Sequence, residues 1–160
     1  MSGIGRLSTA LRPAFQASQI WGKPTKSMNK LSSSSATILV IDDEATLCAL
    51  ISRVLTKAGY HVLSFTDGQT ALQLLQSQTE EIDCILIDLM MPKLSGEAVF
   101  TAIRALTSNI PIVLMSGWSD GNMLSKRQND RALSFLPKPF SINELRAAIE
   151  QTQEQVALHM

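Results

Sequence analysis

The stretch that decides the fold is CILIDLMMPKLSGEAVF, Cys84 to Phe100. Ile85, Leu86 and Ile87 form an apolar run closed by one carboxylate, Asp88, before Pro92 and Gly96 break the chain. A short apolar run of this kind reads as a strand buried on both faces. A lone acid at the end of such a strand is costly unless something uses it.

Outward from that strand, the same unit recurs. TILVI (37–41) is a β-branched-rich strand, and the helix after it places Leu47, Leu50, Ile51, Val54, Leu55 and Ala58 at helical spacing until Gly59 stops it. HVLSF (61–65) is a short strand. DGQTALQLLQSQ follows, with Asp67 as N-cap and Ala71, Leu72, Leu74 and Leu75 as the buried stripe. DCILID (83–88) is the third strand. SGEAVFTAIRAL is a helix capped by Ser95, with Val99, Ile103 and Leu106 inward. PIVLMS (111–116) and LSFL (133–136) are strands four and five. Residues 119–130 are polar and contain Gly121, Asn122 and Asn129, so a helix there is weak. The last helix starts at Ser141 with a capping-box Glu144. Five strand-helix pairs in alternation imply an α/β fold: a five-stranded parallel sheet, doubly wound, with helices on both faces.

The 160 residues suit one domain, and 14 Lys and Arg balance 14 Asp and Glu. The balance hides an asymmetry. Residues 1–36 hold Arg6, Arg12, Lys23, Lys26 and Lys30 and no acid, so the domain at 37–160 is mildly acidic. That composition argues against direct binding of nucleic acid. The apolar runs are strand-sized, which excludes a membrane span. Cys48 and Cys84 sit in apolar contexts and read as reduced core residues of a cytoplasmic protein, not as a disulfide or zinc site.

Residues 1–36 read as a flexible, basic, Ser-rich extension ending in Ser32–Ser35. Ile4, Leu7, Leu11 and Phe15 would share one helical face with Arg6 opposite, and Pro13 weakens that helix. A plain tail, initiation at Met28, an organellar transit peptide and a linker from a larger parent all fit this composition.

In open α/β sheets, ligands bind beyond the carboxyl ends of the strands. Strand one ends in Asp42, Asp43 and Glu44, strand three in Asp88, strand four in Ser116 and Gly117, and strand five in Pro137, Lys138, Pro139 and Phe140. Taken singly, these are ordinary caps, turn residues and a loop lysine. Their joint placement on one rim is what those readings leave unexplained. Clustered carboxylates resist ionising, and a divalent cation removes the conflict. An all-oxygen site with room for water suits Mg²⁺ or Mn²⁺. A metal, a lysine and a hydroxyl together can hold a phosphoryl group, and a carboxylate can take it as nucleophile.

ILVIDDE, ILIDLMMPKLSGEAV, IVLMSG and FLPKPF resemble the motifs of the response-regulator receiver domain of two-component signalling, over about residues 37–153. The resemblance implies a flavodoxin-like (βα)5 fold and transfer of a phosphoryl group from a histidine kinase or phosphotransfer protein, with Mg²⁺ required. It implies that Asp88 is the phosphoacceptor. Asp43 would hold the metal directly, Asp42 would act through water or as a second acid, and the Met90 backbone carbonyl would complete the ligands. Lys138 would pair with the phosphoryl oxygens, Ser116 would move to hydrogen-bond them, and Phe135 would change rotamer in response. Met90 and Trp118 occupy the positions that tune phosphoryl lifetime, and Lys138-Pro139 the position of a cis bond. At 129–132 the chain has NDRA where many relatives place a glycine-alanine turn. Such a protein is a monomer or weak dimer and catalyses only its own phosphorylation and dephosphorylation. It would signal to a downstream protein as a stand-alone regulator, a phosphorelay shuttle or the severed receiver of a hybrid kinase, since no effector domain follows the last helix.

Two other classes compete. A haloacid-dehalogenase-type phosphatase also uses an aspartate nucleophile and Mg²⁺, but wants Asp-x-Asp after its first strand, where this chain has adjacent Asp42 and Asp43. A receiver-like interaction module that has lost phosphorylation would not need Asp43, Asp88, Ser116 and Lys138 together. The glycines at Gly3 and Gly5 follow no strand, which disposes of dinucleotide binding.

Overall fold

The computed structural model describes residues 35–77, 80–107, 109–117, 127 and 129–159. The expectations for 1–34, for Trp118 and for most of 119–130 fall outside them. The strands are β1 (Thr37–Ile41), β2 (His61–Phe65), β3 (Cys84–Asp88), β4 (Ile112–Ser116) and β5 (Leu133–Pro137). The helices among the described residues are α1 (Ala45–Lys57), α2 (Gly68–Ser77), α3 (Gly96–Leu106) and α4 (Ile142–Ala157). None of them is long and apolar enough to cross a membrane.

All five strands pair in parallel, in the order β2-β1-β3-β4-β5. Successive side chains of a strand point to opposite faces, so the sheet sorts its own core. Leu39, Ile41, Ile85, Ile87, Ile112 and Leu114 face α2 and α3, and pack on Val99, Phe100 and Ile103. Ile38, Val40, Cys84, Leu86, Val113 and Met115 face α1 and α4, and pack on Ile51, Leu55, Leu145 and Ile149. The three central strands are buried at every inner position, which is why they read as continuous apolar runs rather than alternations.

The helix starts carry their caps. Asp67 accepts from the Thr70 amide at 3.1 Å, Ser95 from the Ala98 amide at 3.2 Å, and Ser141 forms the capping box with Glu144. Gly59 ends α1 with φ of 95°, a left-handed conformation that a side chain would resist. Three apolar residues depart from the expected stripes. Leu50 is exposed because Cys48 and Ile51 take the sheet-facing line of α1. Leu106 is exposed because α3 ends there and Phe100 and Ile103 already fill the space beneath. Ala58, beyond the end of α1, is also exposed.

The NDRA departure has a structural use at the amino end of the sheet. Asp130 accepts from Arg104 Nε at 2.8 Å and from the Ala132 amide at 3.1 Å, while Arg104 also donates to the carbonyls of Ile110 and Ala132 at 2.8 and 3.0 Å. One guanidinium on α3 thus ties down the segments that lead into β4 and β5.

Candidate functional site

The strand order reverses direction between β1 and β3, and a crevice opens at the carboxyl ends on either side of that point. Asp42 and Asp43 leave β1 there, and Asp88 closes β3. Carboxylate oxygens of all three lie within 4.8 Å of one another. Asp42 is fully buried, Asp88 is nearly so, and Asp43 is exposed at the mouth.

Lys138 arrives from the end of β5. Its Nζ lies 2.8 Å from Asp42 Oδ2 and 3.2 Å from Asp88 Oδ1. The Glu44 amide donates to Asp42 Oδ1 at 2.9 Å, and the Met90 amide to Asp88 Oδ1 at 3.3 Å. Burial raises the Asp88 pKa, the charge of Asp42 adds to the rise, and Lys138 opposes it. Burial works against the Lys138 ammonium as well, but its hydrogen bond to Asp42 and the charges of Asp42 and Asp88 outweigh that and raise its pKa. Three carboxylates and one ammonium leave an excess of two negative charges, all on oxygen donors. That donor set suits a hard divalent cation.

Ser116 is the last residue of β4 and is buried beside this rim, its carbonyl accepting from the Lys138 amide at 2.6 Å. The Lys138-Pro139 bond is cis. Phe135 is half-buried on the α2-α3 side, opposite Leu114 in the strand register. Met90 is 65% exposed at the rim. Glu44 does not join the cluster. It is the exposed residue before α1, makes no side-chain cap hydrogen bond, and contributes only its amide to Asp42.

Two residues bear on the site in ways the sequence pattern did not disclose. The Cys48 thiol donates to the Asp42 carbonyl at 3.2 Å, with the Phe65 carbonyl at 3.9 Å, so it backs the turn that carries both acids. Burial and then the charge of Asp42 push its pKa up to about 11, which keeps it a thiol. Gly96 donates its amide to the Leu89 carbonyl at 3.1 Å, and a Cβ there would overlap the Asp88 carbonyl oxygen and Leu89 Cα. Only glycine lets α3 begin this close to the backbone of Asp88.

Comparison with known proteins points one way. The response regulator receiver domain family matches residues 38–150. Sensor kinase CckA of Brucella abortus is 28% identical over 123 residues, 77% of this chain and 13% of that protein. Sporulation initiation phosphotransferase F of Bacillus subtilis is 27% identical over 114 residues, 71% of this chain and 90% of that protein. The crystal structure of a response regulator receiver domain protein from Clostridium thermocellum superposes with a TM-score of 0.69 at 29% identity, over 78% of this chain and 99% of that one. The chain therefore spans nearly all of two of these relatives and a small part of the kinase.

Proposed function

The chain belongs to the response regulator receiver domain family, a family of phosphorelay receivers, and from that premise we propose that Asp88 is its phosphoacceptor. The observation that carries this reading is the convergence of Asp42, Asp43, Asp88 and Lys138 on one crevice. An oxygen of the Asp88 carboxylate attacks the phosphorus of a phosphohistidine. The P–N bond breaks, its electron pair stays on the imidazole nitrogen, and an acyl phosphate forms on Asp88.

Asp43 and Asp88, with Asp42 behind them and the Met90 carbonyl beside them, would hold Mg²⁺, for which Mn²⁺ could substitute. The ion would supply positive charge to the transferring oxygens. Lys138 already contacts Asp88 and is placed to pair with a phosphoryl oxygen once it is bonded there. Ser116, on the neighbouring strand end, is the hydroxyl that takes another oxygen. Met90, with Trp118, would govern water access and so the lifetime of the acyl phosphate.

Receiver domains work with histidine kinases or phosphotransfer proteins as donors. In our reading this one acts in the cytoplasm as a monomer or weak dimer, catalyses only its own phosphorylation and dephosphorylation, and switches a downstream protein. The deciding experiment is incubation with acetyl phosphate and Mg²⁺ followed by intact mass. Wild type should gain one phosphoryl group, and Asp88→Asn or chelated wild type none. Equal gain on Asp88→Asn would overturn the assignment.

A further inference from the structure

At the amino end of the sheet, remote from the carboxylate crevice, α2 and α3 diverge over a groove of about 310 Å³. Leu75, Ile82, Leu106 and Ile110 line it, and Glu80 and Glu81 stand at its rim. Leu106 is half exposed there, the largest departure of α3 from its buried stripe. Glu80 and Glu81 are the charged residues among the described ones that line it, and the guanidinium of nearby Arg104 is taken up by Asp130.

The chain enters the domain beside this groove. Asp83, next in sequence to Ile82, accepts from the Thr37 amide at 2.8 Å and donates its own amide to the Thr37 carbonyl at 2.9 Å. What precedes Thr37 carries five basic residues and no acid, with Ile4, Leu7 and Leu11 at helical spacing.

We propose that the α2-α3 groove is an intramolecular docking site for the N-terminal segment of this chain, Ile4, Leu7 and Leu11 covering the apolar floor and Arg12, on the flank of that face, meeting Glu80 and Glu81. The occupant follows from charge complementarity and from the tether. Some 25 residues separate Leu11 from β1, giving a root-mean-square reach of roughly 28 Å for a flexible linker. Such a linker sets an effective concentration of about 1 mM, so even a contact of millimolar affinity is half occupied. The segment would occupy a groove at the end of the sheet opposite the carboxylate cluster, leaving that cluster accessible.

The test uses the full chain with Thr9→Cys, on the face opposite Leu7 and Leu11, carrying a nitroxide. Cys48 and Cys84 are buried, and burial pushes their pKa values up to about 11 and about 12, so the label goes to the introduced thiol. Amide signals of Ile82, Leu106 and Ile110 should lose at least half their intensity relative to the reduced label, while Ile142 at the opposite rim keeps its own. Glu80→Lys with Glu81→Lys should restore the groove signals. The proposal is overturned if the groove signals are unaffected by the label or if the loss survives the charge reversal. It is overturned equally if the loss appears when labelled chain is mixed with unlabelled ¹⁵N chain, which would make the occupant a second copy.

Discussion

Lys138 and Asp42 are 96 positions apart in sequence and 2.8 Å apart in the fold, joined across the carboxyl ends of β3 and β4. The pair holds β5 to β1 at the rim that carries the carboxylate cluster. Asp42 is buried, so Lys138 is what makes its charge tolerable there. The folded pKa of Lys138 is raised, so this contribution is fully present below the ordinary lysine pKa and is lost as pH rises through the folded value. At neutral pH it is intact.

Removing the ammonium strands a buried carboxylate. Lys138→Met should lower stability at pH 7 by about 2–4 kcal/mol in the absence of metal. Asp42→Asn placed in the same chain should return part of that loss, because the stranded charge is gone. Urea denaturation of the four members of this cycle in EDTA measures the coupling. Strictly additive losses would mean that the two residues act independently.

Asp88 runs the other way. Its pKa is raised, first by burial and then by Asp42, so its ionised form destabilises the metal-free fold. The penalty is complete above the folded pKa and disappears as pH falls below the ordinary carboxylate value. Asp88→Asn should therefore raise the Tm of the metal-free protein at pH 7, and its advantage should shrink as pH falls. Adding Mg²⁺ should stabilise wild type and narrow the gap, by an amount that grows with the logarithm of ligand excess over Kd. A lower Tm for the variant in EDTA at pH 7 would refute the sign.

Gly96 tests the close approach of α3 to the backbone that follows β3 at Asp88. An added Cβ meets backbone atoms of Asp88 and Leu89, which cannot rotate away as a side-chain tip would. Gly96→Ala should cost about 1–3 kcal/mol and slow phosphoryl acceptance by moving the Asp88 backbone. A matched Gly117→Ala is the control, since nothing lies within 4 Å of a Cβ there. Equal stability and equal rates in the two variants would show that the helix start simply shifts aside.

These residues also mark how far the sequence could be read. The central strands were legible because burial on both faces leaves no alternation to misread, as in Leu39, Val40 and Ile41 or Ile85, Leu86 and Ile87. Parallel order then brought Asp42, Asp43, Asp88, Ser116 and Lys138 to one rim without any coordinate. What the pattern missed depends on contacts between elements. The approach of Gly96 to Asp88, the thiol of Cys48 on the Asp42 carbonyl and the grip of Arg104 on Asp130 have no signature in local periodicity. Leu50 and Leu106 failed for a related reason: helical spacing marks a stripe but not its edges, and neighbouring Cys48 and Phe100 had taken the space.

The last prediction concerns the switch. A phosphoryl group on Asp88, the proposed acceptor, would bring a charge of roughly −1.5 to −2 and three acceptor oxygens to the rim. Lys138 can take one oxygen from where it stands, 3.2 Å from Asp88 Oδ1. Ser116 ends the adjacent strand, and its hydroxyl reaches another oxygen only if the chain at its end moves inward. Phe135 lies one strand over, half-buried and packed on the α2-α3 side, so it has a surface position to leave. Phosphorylation would then shift a ratio of two conformations that both exist beforehand, by an amount set by the differential contact that Ser116 makes. Ser116→Ala removes that contact and little else. It should leave Asp88 able to accept phosphate while weakening the change at the Phe135 ring, followed by NMR with and without beryllofluoride. Equal ring shifts in wild type and variant would mean that Phe135 stays a fixed strand side chain and that the rim signals through other residues.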